Sequence, residues 1–211
     1  MFRRPASLRA AFVAFAMLLM TLPALAFLEL PNRTQLAFNN ILVAIDTVEN
    51  PSAKQQLAQR RVNKSTAKLF RSGRTLRQCL KDMDKTLRKA GPFFEDAEFD
   101  GQSMSRMRAT LVAGLGDNLL AAADQLRDLI EVNASDPDDP RLAKSLAPID
   151  KAVVRIVSAA TGGDPSGVDA KELRNVFREY GKAVELMERA ARRAKKAKFG
   201  NFSIVVPPSS L

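Results

Sequence analysis

The segment from Asp96 to Gly101 holds Asp96, Glu98 and Asp100 at alternate positions before a glycine, the spacing that opens a calcium-binding loop. Such a loop needs a bidentate Glu at its twelfth position, and Met107 stands there, so the match fails at its decisive ligand. Phe93, Phe94 and Phe99 surround the acids, and the expectation is a crossover pinned by aromatics with its carboxylates in solvent. The chain contains no His and a single cysteine, Cys79. A Ser-His-Asp triad, a zinc site built on His, a His-ligated haem and an intramolecular disulfide are therefore all excluded. Cys79 flanks an apolar stripe and reads as a small buried hydrophobe. No catalytic residue, metal ligand or cofactor site is expected, and the chain reads as a protein that is not an enzyme.

The chemistry that remains is anion binding. Residues 52–90 carry twelve cations, Lys54, Arg60, Arg61, Lys64, Lys68, Arg71, Arg74, Arg77, Lys81, Lys85, Arg88 and Lys89, against Asp82 and Asp84. The local balance equals the +10 of the entire chain. So few acids are interleaved that an ordinary solvated face accounts poorly for the block, and an anionic partner accounts for it well. A second cluster, Arg189, Arg192, Arg193, Lys195, Lys196 and Lys198, lies near the C-terminus.

Helices must position these cations. Residues 1–26 read as a cleaved signal peptide: Arg3, Arg4 and Arg9 precede an apolar run, Pro23 breaks it, and Ala24-Leu25-Ala26 suits a signal peptidase. Residues 27–51 then hold a short helix from about Thr34 to Glu49, with Leu36, Ile41, Ile45 and Val48 inward. Residues 52–199 form the bundle domain, and residues 200–211 an extended tail. Its first helix spans about 52–90, where Ala58, Val62, Leu69, Leu76, Leu80, Met83 and Leu87 fall within an arc of about 60° and most cations lie opposite. Gly91-Pro92 stops it.

A helix over about 103–133 follows, with Met104, Met107, Leu111, Leu115, Leu119, Ala122, Leu126 and Leu129 inward and Asp117, Asp124, Asp128 and Glu131 outward. Gly114 and Gly116 weaken it or allow close packing. The next runs from about Pro140 with Leu142, Leu146, Ile149, Val153, Ile156 and Ala160 inward, and Pro148 is expected to kink it or delay its start. The last, about 169–198, buries Leu173, Val176, Phe177, Tyr180, Val184, Met187 and Ala191. The predicted fold is all-α: an up-and-down four-helix bundle with an additional short N-terminal helix and an extended C-terminal tail.

Over about residues 90–190 the chain loosely resembles the PsbQ-type extrinsic subunits of photosystem II. Gly91-Pro92 followed by Met104, Arg106, Met107, Arg108 and Leu111 is similar to that family's Gly-Pro, Leu-Arg and Met-x-x-Leu stretch. Tyr180, Ala183, Val184 and Met187 resemble its closing Tyr-x-x-Ala segment. The acidic-aromatic insert and the residues after Lys198 depart from the family pattern. The resemblance implies a four-helix bundle on the lumenal face of the thylakoid that shields a membrane complex without catalysing a reaction.

The expected partner is the anionic protein surface of a membrane complex, with an anionic membrane surface as a further candidate. Nucleic acid is disfavoured, because export removes it and only Phe70 could offer a stacking platform. The compartment implied is the thylakoid lumen or a bacterial periplasm, and a periplasmic basic helical chaperone or envelope-binding protein is the competing reading. The contact residues expected are Arg60, Arg61, Lys64, Lys68, Arg71, Arg74, Lys81 and Lys85, helped by Arg192, Arg193 and Lys196. Reversing Arg60, Lys64, Lys68 and Arg71 to Glu is expected to abolish docking without unfolding the chain.

Overall fold

The computed structural model describes residues 25–27, 32–66, 75–90, 93–161 and 167–205. Most of the expected leader, Lys68, Phe70, Arg71, Arg74 and the glycine-proline stops at 91–92 and 162–165 lie outside the described residues. The described chain is predominantly helical. Its elements are β1 (Leu25–Phe27), α1 (Asn32–Asp46), α2 (Ala53–Thr66), α3 (Leu76–Ala90), β2 (Glu98–Phe99), β3 (Gln102–Ser103), α4 (Met104–Val132), α5 (Pro140–Thr161), α6 (Ala170–Ala197) and β4 (Ser203–Val205).

The packing centres on α4, α5 and α6, which touch one another in every pairing. α1 lies on α4, and α3 on α6. α2 leans on α3. β1 and β4 pair in parallel, Leu25 opposite Ser203 and Phe27 opposite Val205, so the expected cleavage point after Ala26 falls inside a strand. Phe199, Phe202 and Ile204 are buried at the end of the described chain.

The long helix expected over 52–90 is two helices. Thr86 Oγ1 donates to Ser65 Oγ at 3.0 Å, and Gln55 Nε2 to the Phe93 carbonyl at 3.0 Å. In one continuous helix residues 65 and 86 would lie about 30 Å apart at 1.5 Å per residue. α2 and α3 instead run side by side in opposite directions. The reason is local. Ser65 and Thr66 turn their hydroxyls back onto the Val62 carbonyl, which satisfies the end of α2. Thr75 then starts α3 with a reciprocal capping box: Gln78 N–H donates to Thr75 Oγ1 at 3.3 Å, and Thr75 N–H to Gln78 Oε1 at 3.1 Å. The apolar seam survives the break, since Ala58, Val62, Leu76, Leu80, Met83 and Leu87 are all buried.

The inward stripes of α4 and α6 are buried as their periodicity predicts, with Leu129 half-buried. Two positions differ. Leu36 is 61% exposed, because the buried stripe of α1 runs through Thr34, Ala37, Phe38, Ile41, Ala44 and Ile45 and leaves Leu36 on the other side. Ala160 at the end of α5 is exposed as well. Pro148 does not interrupt α5, which is helical from Pro140 to Thr161.

The two glycines of α4 serve close approach. A Cβ on Gly114 would stand 2.9 Å from Thr34 Oγ1, and one on Gly116 would stand 2.7 Å from the Tyr180 hydroxyl. Thr34 accepts from Asn118 Nδ2 at 2.8 Å, and Tyr180 Oη donates to the Val112 carbonyl at 2.9 Å, so both buried polar groups are satisfied. Burial pushes the Tyr180 phenol above the usual tyrosine range, and the charge of Asp117 adds to the shift.

Candidate basic docking surface

α2 carries four cations and no acid. Ser52 and Gln55 cap the helix reciprocally, at 2.9 Å and 3.3 Å. Neutral amides then tie it to its neighbours: Gln59 Nε2 donates to the Ile45 carbonyl at 2.8 Å and Asn63 Nδ2 to Asp46 Oδ1 at 3.2 Å. Lys54, Arg60, Arg61 and Lys64 are all exposed, and α2 contains no acid. Because amides rather than ion pairs fasten the helix, its four charges stay available to another molecule.

On α3, Lys81 and Lys85 are exposed. Lys81 joins Arg77, Arg174 and Arg178 around a groove of about 290 Å³ between α3 and α6, floored by Leu80, Phe177 and Gly181. Arg77 is ion-paired with Glu185 across this interface. Asp84 also lines the groove and meets Arg88 at 3.0 Å. Burial raises its carboxyl above the ordinary range, and Arg88 and Arg174 pull it partly back.

At the end of α6, Arg192 and Lys196 are exposed, with Arg192 3.9 Å from Glu188. Arg193 has a structural partner. Its Nη1 donates to the Lys144 carbonyl at 2.7 Å. That carbonyl lies four residues before Pro148, which has no N–H to offer it, so the arginine completes the bond the proline leaves open. Arg141 and Lys144 of α5 join Arg193 and Lys196 around a groove of about 520 Å³.

The expected single basic face is thus divided. α2, the α3–α6 groove and the α5–α6 groove each hold part of it, because the 52–90 block folds back on itself. Spacing along one helix could not have grouped Arg174 and Arg178 with Lys81, or Arg141 and Lys144 with Arg193. The one signal in the sequence for a side chain arriving from elsewhere is the Lys144 carbonyl, which Pro148 leaves without a backbone donor.

The acidic-aromatic segment contains a hairpin. Glu98–Ser103 and Phe99–Gln102 pair as a small antiparallel hairpin, and its turn has Asp100 at φ 52° and Gly101 at φ 67°, the two left-handed residues of a type I′ turn. Phe94 is buried while Phe93 is 39% exposed, so one of the expected aromatic pins faces solvent. Glu95 is not simply solvated. It receives both nitrogens of the buried Arg108, at 2.7 Å and 2.9 Å, a bidentate clamp from α4. Among the described residues no group of three or more His, Cys, Asp or Glu could hold a metal ion. Cys79 is 2% exposed in the core.

A wider groove of about 860 Å³ between α5 and α6 carries both signs of charge. Within it Glu179 receives both Lys182, at 2.8 Å, and Arg155, at 2.6 Å, and the two cations hold its carboxyl below the usual range. No described helix is long and apolar enough to cross a membrane. No family model, curated protein or solved structure matches the chain.

Proposed function

We propose that the protein is a non-catalytic docking subunit whose helices α3 to α6 form an up-and-down four-helix bundle, with α1 and α2 packed outside it. α2 presents Arg60, Arg61 and Lys64 to the anionic protein surface of a membrane complex, and Lys81 and Lys85 extend the contact. The observation that carries this reading is the unneutralised charge of α2: four exposed cations on a helix without an acid. A protein gains little from such charges internally, since each exposed pair contributes about 0–1 kcal/mol, whereas many together steer and hold an oppositely charged partner.

The most specific form of the proposal is an extrinsic subunit on the lumenal side of photosystem II, reached through a cleaved leader. It draws on the sequence resemblance along α4 and α6. The buried contact between Tyr180 and α4 gives the tyrosine of that resemblance a packing role in this chain. The test is a pull-down with the mature protein from solubilised thylakoid membranes and, in parallel, from a bacterial envelope fraction. Recovery of photosystem II core subunits at low salt supports the specific reading. Recovery of envelope proteins alone replaces it with the periplasmic one, and recovery of neither refutes both.

A further inference from the structure

The groove between the start of α5 and the end of α6 has a composition that docking through α2 does not explain. Arg141, Lys144 and Ser145 line one wall, and Arg193, Lys196 and Ala197 the other, around about 520 Å³. That is within the ordinary range of small-molecule sites. None of its lining residues is an acid. Asp139, just outside, is occupied: it receives Arg141 Nε at 2.9 Å and Nη2 at 2.6 Å, which neutralises one of the four cations and orients it. Arg193 is oriented by the Lys144 carbonyl. The guanidinium of Arg141 also lies 5.8 Å from the centre of the Phe199 ring. Two of the cations are therefore held in place. Lys144 and Lys196 are exposed and make no ion pair among the described residues.

A helix C-terminus attracts cations on its own account, and that accounts for Lys196. It does not account for Arg141 and Lys144, which belong to the first turns of α5, where the helix field disfavours positive charge. The neutral polar capacity of the groove is small. Ser145 is buried and donates its hydroxyl to the Arg141 carbonyl at 2.8 Å. What lies between the charges is the Ala197 methyl and the aliphatic stems of two lysines and two arginines, an apolar surface. A hydrated inorganic anion would use the charges and waste that surface.

We infer that this groove binds an amphiphilic anion, a phosphate ester whose head sits among Lys144, Arg193 and Lys196 and whose alkyl part lies along the apolar walls. The site is separate from α2 and does not rest on the docking reading. Three net positive charges suit a phosphate head, and Arg193, fixed by its backbone acceptor, presents a planar donor pair at little further ordering cost.

The test uses hexyl phosphate, which dissolves as single molecules, against inorganic phosphate and hexanol, titrated into the full chain by calorimetry and by backbone amide NMR. Hexyl phosphate is expected to bind about tenfold or more tightly than either half alone, a gain of about 1.4 kcal/mol or more. The amide shifts should fall in 141–146 and 192–198. K144E/K196E removes two cations that make no ion pair among the described residues and should abolish the binding with the helical signal intact. K81E/K85E should leave it unchanged. Equal affinity for hexyl phosphate and inorganic phosphate, shifts elsewhere, or binding that survives K144E/K196E would each overturn the inference.

Discussion

Replacing Gly116 by Ala tests the packing at the centre of the helix cluster. Helix propensity alone predicts a gain of about 1 kcal/mol, since Gly in a helix interior is disfavoured by about that much relative to Ala. The geometry predicts a loss. The new methyl would stand 2.7 Å from Tyr180 Oη, where ordinary contact begins at 3.4 Å. Tyr180 cannot swing aside, because it is 0% exposed and its hydroxyl is tethered to the Val112 carbonyl. Overpacking of this kind costs about 1–3 kcal/mol, and a buried hydroxyl driven off its acceptor about 1–3 kcal/mol more. After the propensity gain, the net should be a destabilisation of about 1–5 kcal/mol, or about 2–20 °C in melting temperature for a chain of this size. Urea and thermal unfolding followed by circular dichroism measure it. Tyr180→Phe supplies the internal control. It should cost only about 1 kcal/mol, because the Val112 carbonyl keeps its bond within α4. In that background Gly116→Ala should become neutral or stabilising, as the remaining ring carbon is 3.6 Å from the new methyl. A stabilising Gly116→Ala in the wild-type background would refute the reasoning.

Three further outcomes follow from single contacts. Arg193→Ala should destabilise by about 1–2 kcal/mol by stranding the Lys144 carbonyl, and by much less in a Pro148→Ala background, where residue 148 regains its N–H; a double-mutant unfolding cycle reads the difference. Glu95→Gln should cost at most about 1 kcal/mol because Glu95 is half exposed, whereas Arg108→Met, which unclamps the hairpin at its buried end, should raise amide hydrogen exchange over residues 94–103. The raised Tyr180 pKa means that the folded state keeps a proton the unfolded chain releases. Stability is therefore full below the ordinary tyrosine range of about 10 and falls as pH rises above it, and Tyr180→Phe should flatten that alkaline loss in pH-dependent urea titrations.

The apolar stripes of α4 and α6 were legible because period and burial coincide over many turns, and Leu173, Val176, Phe177, Tyr180, Val184 and Met187 are all in the core. The break between α2 and α3 was less visible. Val62, Leu76 and Met83 keep heptad spacing across it, and all three are buried on both sides of the fold-back, so periodicity alone cannot distinguish one helix from two. Thr75-Leu76-Arg77-Gln78 was the signal that could, as a capping box inside a supposed helix interior. The Asp100-Gly101 turn was equally readable as a hairpin, although the segment around it read only as a crossover pinned by aromatics once the calcium pattern failed at Met107. Of the candidate site, the exposure of Arg60, Arg61, Lys64, Lys81 and Lys85 follows from the helical pattern. The grouping of cations from different helices is tertiary and left no trace in spacing.

The central claim is that α2 docks by charge. Binding of the protein to washed native membranes, measured against salt for wild type and for R60E/R61E/K64E, tests it most directly. The account predicts that wild-type binding falls steeply as the Debye length shortens from about 8 Å toward about 3 Å in molar salt, and that the triple reversal loses binding at low salt with an unchanged melting curve. Binding that persists in molar salt, or that the reversal leaves intact, would contradict it.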